Sequence, residues 1–233
     1  MNCALELGGC SAEWGAACYL ARREPARLHA SSTRDLDRQS YPRLAAYLDQ
    51  LPEGLDSFAE CQAKVSIHRA VYAFAKQPLT GLPSVLQAHL DERAPADQWI
   101  LQCRTLALMI AMVEARRLAL DEEAQWIRSA ASMLFSTPMY RLLIWAISPR
   151  LMIRGADIRW SAFFRGSSLH AMLGEHEAEL ELRAPPGLFD PTLAQIFTDV
   201  LRAALSYSEH DSSAVWLELS GFEPGHIRYA ISW

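Results

Sequence analysis

The chain has 233 residues, 51% of them hydrophobic and 21% charged, with a formal net charge of −5 at pH 7. That apolar content is too high for a disordered chain and sufficient for a substantial core. Residues 1–150 carry 16 basic and 16 acidic side chains and residues 151–233 carry 6 and 11, so the C-terminal part holds the net charge, and with no basic cluster interleaved with aromatics nucleic acid is not an expected partner.

Residues 1–30 offer both a strand-like CALEL and a helix-like AEWGAACYLARR, and ASSTRDLDR at 30–38 reads as a loop. The five cysteines, at 3, 10, 18, 61 and 103, contain no C-x-x-C pair. No basic segment leads into a long apolar run near the N-terminus, so a reduced, cytoplasmic protein is expected.

A helix is predicted over 41–51, with Pro42 in its first turn and Pro52 and Gly54 ending it. Ser57 and Glu60 match a capping box, which predicts a second helix over 57–76. A short helix over 84–90 precedes a polar turn, and 99–118 reads as a central helix, apolar nearly all round between Leu106 and Val113. Those eight residues are too short a run to span a bilayer core of about 30 Å as a helix, so no membrane span is expected. Asp121, Glu122 and Glu123 begin a helix to about 135, at the end where acidic groups favour the dipole. Thr137-Pro138 and Ser148-Pro149 each restart a helix, over 139–147 and from 149 to about Gly155.

Beyond Gly155 the period becomes two, with Ile158, Trp160, Ala162 and Phe164 alternating with Asp157, Arg159, Ser161 and Phe163, which predicts a strand. Residues 168–173 and 177–183 read as a hairpin, with Ala178, Leu180 and Leu182 inward and three glutamates outward. Asp190-Pro191 starts an amphipathic helix carrying Leu193, Ile196, Phe197, Val200, Leu201, Ala204 and Leu205, and strands over 214–219 and 227–233 follow. The expected fold class is α+β. A helical N-terminal half, 1–156, is followed over 157–233 by a five-stranded, largely antiparallel sheet with one crossing amphipathic helix, the two packed as one globular unit.

None of the familiar phosphate-binding, nucleophile-elbow or zinc-helix motifs occurs. On the predicted helix, Cys61, Lys64 and His68 share a face, and a Cys-His pair with a nearby ammonium is one route to an activated thiolate. Seven residues is about 10.5 Å of helical rise, too long for a direct hydrogen bond. His170 and His176 flank the hairpin turn, with Glu175 and Glu177 beside them, but zinc takes three or four ligands. Neither a metal nor a cofactor is expected. The remaining cluster surrounds the helix-to-sheet junction, where Tyr140, Arg141, Trp145, Arg154, Trp160, Phe163, Phe164 and Arg165 gather. An apolar pocket with one or two arginines suits a hydrophobic anion, and Trp145, Trp160 and Arg165 are the candidate ligand-binding residues.

Trp99, the acidic start at 121, S-x-P-x-Y-R-L-L from Ser136, S-P-R-L-M from Ser148 and W-x-x-F-F-R-G from Trp160 resemble, over 83–233, a bacterial domain-of-unknown-function family expanded in myxobacteria. The order of elements is similar in topology to the vinyl-reductase-like, haem-nitric-oxide and vesicle-tethering-subunit group of ligand-binding folds. That likeness implies small-molecule sensing or scaffold assembly. Its haem-dependent members carry an axial histidine and a Y-x-S-x-R motif, and here Tyr207-Ser208 runs into Glu209 and His210. The expected function is thus a non-enzymatic binding module, either a sensor of a small apolar ligand or an adaptor for a protein partner, including a homodimer. The alternative is an enzyme built on Cys61 and His68 or on a metal at His170 and His176.

Overall fold

The structure, a computed structural model, describes residues 35–75, 79–91, 95, 97–138, 140–141, 148–206 and 215–233. The ambiguous stretch 1–30, Cys3, Cys10, Cys18, most of the predicted helix 139–147 with Trp145, and Tyr207 to His210 lie outside the described residues. The fold is α+β with two antiparallel sheets. In chain order the elements are α1 (Pro42–Gln50), a 3-10 turn (Gly54–Asp56), β1 (Gln62–Lys64), α2 (Val65–Ala75), α3 (Ser84–Asp91), β2 (Trp99–Leu101), α4 (Gln102–Glu114) and α5 (Leu120–Ser136). Then come α6 (Pro149–Arg154), α7 (Ala156–Ser161), β3 (Phe164–Arg165), β4 (Ser168–Leu173), β5 (Glu177–Arg183), α8 (Pro191–Ser206), β6 (Trp216–Glu223) and β7 (His226–Ser232).

Helix α4 is the axis of the helical layer. Its residues from Gln102 to Val113 are buried except Arg104, as an all-round apolar helix requires. Its last residue, Glu114, caps α1: the two carboxylate oxygens accept the backbone N–H groups of Arg43 at 2.5 Å and Leu44 at 2.9 Å. Those two amides are first-turn donors with no partner inside α1. Helix α8 starts as expected, with the Asp190 carboxylate accepting the N–H of Leu193 at 2.7 Å and Pro191 at the first helical position. Its buried Asp199 takes Arg128 of α5 at 2.7 Å and Arg202 at 3.4 Å, pinning α5 to α8.

The large sheet has four strands in the order β4-β5-β7-β6, where five were expected. Register places Leu169 opposite Leu182, Leu180 opposite Tyr229 and Leu217 opposite Ile231, all buried. The other face carries Glu177, Glu179 and Glu181, as the alternation predicts, with Glu181 bound to Arg183 at 2.6 Å and His226 at 3.1 Å.

Three expectations are corrected. Residues 156–161 are helical, not a strand. Ala156 and Trp160 are buried one turn apart while Ile158 is 70% exposed, so the burial period is that of a helix. Residues 57–64 are not helical either: the Ser57 hydroxyl accepts the N–H of Glu53 at 2.9 Å, Phe58 sits at φ 56°, and β1 follows. Residues 99–101 form β2 instead of the first turn of α4. Together β1, β2 and the short β3 make a second sheet, ordered β2-β1-β3. Gly166, at φ 76°, turns the chain out of it, and a Cβ there would lie 2.6 Å from the Glu60 carbonyl oxygen. No helix among the described residues is long and apolar enough to cross a membrane.

Candidate functional site

A cavity of about 150 Å³ opens where the helical layer meets the large sheet. Helix α5 supplies one wall with Trp126, Ala130, Ala131 and Leu134, and α8 supplies the facing wall with Phe197, Val200 and Ala204. Met109 and Val113 of α4 and Leu169 and Leu180 of the sheet close the ends. The fourth side is α6 and α7 with the residues after them, including Trp160 and Phe164.

Aromatic rings leave this gap because they pack on one another at fixed offsets. Trp160 stacks on Phe164 at 4.3 Å, and both meet Phe197, at 5.5 and 5.9 Å. The Trp160 indole N–H donates to the Ser167 hydroxyl at 3.1 Å, which donates to the Gln102 side-chain carbonyl at 3.4 Å, so the ring is held at its polar edge. The charged lining residue is Arg159. Its guanidinium donates to the Met152 carbonyl at 3.2 Å and lies against Gly155, where a Cβ would collide with it. Burial lowers its pKa from the usual arginine value. The indole N–H of Trp126, also in the lining, is buried without a hydrogen-bond partner.

Of the residues singled out from sequence, Trp160 therefore lines the cavity. Arg165 lies outside it: the side chain is exposed on β3, its guanidinium carbon 3.9 Å from the centre of the Trp99 ring. Trp145 lies outside the described residues. Tyr140 is buried against Phe163 at 4.6 Å, and its hydroxyl meets that of Ser66. Arg159, Trp126 and Phe197 were not singled out as site residues, and only Phe197 had a signal, its place on the apolar stripe of α8.

The alternative sites have a different character. Cys61 precedes β1, so it shares no helix with His68 of α2. Its thiol donates to the Gly166 carbonyl at 3.4 Å, and burial, followed by the Glu60 charge, pushes its pKa up to about 11, the reverse of activation. His68 is fully buried, 4.9 Å from the His89 ring, and burial, with His89 second, lowers its pKa to about 3. His170 faces Glu181 across the β4–β5 ladder, and His176 is exposed in the turn. Among the described residues no three histidine, cysteine or acidic side chains gather around a common point suited to a metal ion.

No family model matches the chain, which leaves the resemblance to the myxobacterial family without a match, and no curated protein matches it. Among solved structures, one described as modulating haem redox potential through protein-induced porphyrin distortion is similar at 8% identity and a TM-score of 0.44, over 83% of this chain and 99% of that one. An oxygen-binding H-NOX domain related to soluble guanylate cyclases, in its oxygen complex, gives 9% identity and 0.40 over 83% and 94%. A point mutant of the T. Tengcongensis H-NOX domain gives 8% and 0.42 over 82% and 94%. The cavity's donor set does not fit haem, since its lining contains no histidine, cysteine or tyrosine among the described residues.

Proposed function

We propose that the protein is a non-enzymatic binding module that takes a compact, neutral, apolar molecule into the cavity between α5, α7 and α8. The observation that carries this reading is the cavity itself, about 150 Å³ with an almost wholly apolar lining. An apolar void of that size stays dry and accepts a guest such as benzene or xenon. Neutrality follows from the almost wholly apolar lining, whose charged member among the described residues, Arg159, already donates to the Met152 carbonyl, so burying an anion there would cost desolvation with that donor engaged. Both halves of the chain contribute walls, so in this reading the two act as one unit. The free, buried thiols of Cys61 and Cys103 favour a reducing compartment such as the cytoplasm.

The test is a benzene titration of the full chain, followed by calorimetry and by the melting temperature. Saturable binding that raises the melting temperature, with benzoate inert and Ala131→Leu abolishing the effect, is the expected result. Failure of both benzene and xenon to bind overturns the reading.

A further inference from the structure

We propose that the outer face of the three-stranded sheet is a docking surface for an acidic segment of a partner protein, whose carboxylates are received by Arg165 and Lys64 around the indole of Trp99. This surface is separate from the cavity and does not depend on it. The register sets Lys64 opposite Trp99 and Gln62 opposite both Leu101 and Arg165, which brings these five side chains to one face. Ala63 and Phe164, on the other face, are buried in the core. The outer face thus holds one aromatic ring and two cations, with the guanidinium carbon of Arg165 at 3.9 Å and the Lys64 ammonium at 5.4 Å from the ring centre.

Six arginines elsewhere are held by carboxylates, Arg38 by Asp49, Arg43 by Glu123, Arg104 by Asp56, Arg128 by Asp199, Arg183 by Glu181 and Arg228 by Glu223, although Arg116, over the Trp126 ring, has no such partner among the described residues either. Among the described residues neither Arg165 nor Lys64 has such a partner, and Asp97, exposed two residues before Trp99, pairs with neither. Stacking on an indole uses only the flat face of a guanidinium. Stacking leaves the in-plane N–H groups free for other partners, and this planar fork matches a carboxylate at two points. Stacking also fixes the side chain beforehand, which lowers the entropy lost on binding.

A chain of net charge −5 repels acidic partners in general, so two unmatched cations on one ring are a local exception to its own field. Two cations suit one or two carboxylates and fall short of what a nucleic-acid backbone requires. Among the described residues strands β2 and β3 are the edges of this sheet, the positions at which an extended segment adds to a sheet.

The test is fluorescence anisotropy of a labelled hexaglutamate peptide with the full chain at low ionic strength. Saturable binding is expected, at least tenfold weaker in Arg165→Gln, several-fold weaker in Lys64→Gln, reduced by added salt, and unchanged in the cavity variant Ala131→Leu. Trp99→Phe, which keeps a ring under the guanidinium, should retain most of the binding. No binding of hexaglutamate overturns the proposal, as does binding that Arg165→Gln leaves unaltered. It is also overturned if a single-stranded hexanucleotide binds as tightly through the same two residues.

Discussion

The core around α4 and the core between α5, α7 and α8 are built from similar apolar side chains, yet one is filled and the other is not. Leu106, Leu108 and Ile110 are completely buried in a helix surrounded by others. Across the molecule, Trp160, Phe164 and Phe197 meet at ring angles of 29°, 54° and 62° and leave a void beside them. Aliphatic side chains interdigitate along a helix, whereas rings impose their own spacing on the backbones that carry them. The kind of apolar side chain, and not apolar content alone, therefore decides where this protein keeps an empty space.

The sharpest way to break this contrast is to make the same deletion on both sides. Leu108→Ala should cost about 4 kcal/mol in chemical denaturation, while Leu134→Ala, at a side chain that lines the void, should cost about 2 kcal/mol. Equal losses would mean that the two cores are packed alike. The next effect depends on acid. His68 has a folded pKa of about 3, below its ordinary value of 6.5, so its neutral form favours folding fully above pH 6.5 and that contribution is lost as pH falls from there toward 3. At pH 5 the loss is about 2 kcal/mol relative to pH 7, and His68→Phe should remove it, read as the difference between the two proteins' pH–stability curves.

Filling the void with Ala131→Leu should raise stability by about 1 kcal/mol, whereas adding two carbons within α4 through Ala107→Val should lower it, both measured by thermal unfolding. Arg183→Gln is the smallest change. Its bridge to Glu181 is largely solvated, and removing it should shift stability by less than about 0.5 kcal/mol.

The α8 stripe and the β4–β5 hairpin were legible in the sequence because each repeats its period over several turns or residue pairs. The stretch from Asp157 to Phe164 was not, because eight residues with alternating polarity also fit a helix whose buried positions are 156 and 160. Strands of two or three residues carry no periodic signal, so the small sheet was invisible and Arg165 was assigned to the pocket's side of the chain. Trp160 was identified from its crowded surroundings. An apolar pocket at this junction is an expectation of the sequence, but its walls from α5 and α8 are not, because a void arises from how rings meet in space and corresponds to no residue pattern.

Only Gly166 and Ser167 separate the end of β3 from the start of β4. Two residues reach about 7 Å at full extension. The two sheets are therefore joined by a link with almost no slack, and the Glu60 carbonyl next to Gly166 bars any side chain from that one position. The edge strand of the large sheet is thus tethered directly to Arg165, on the outer face of the small sheet, and to Phe164, in the core beneath it.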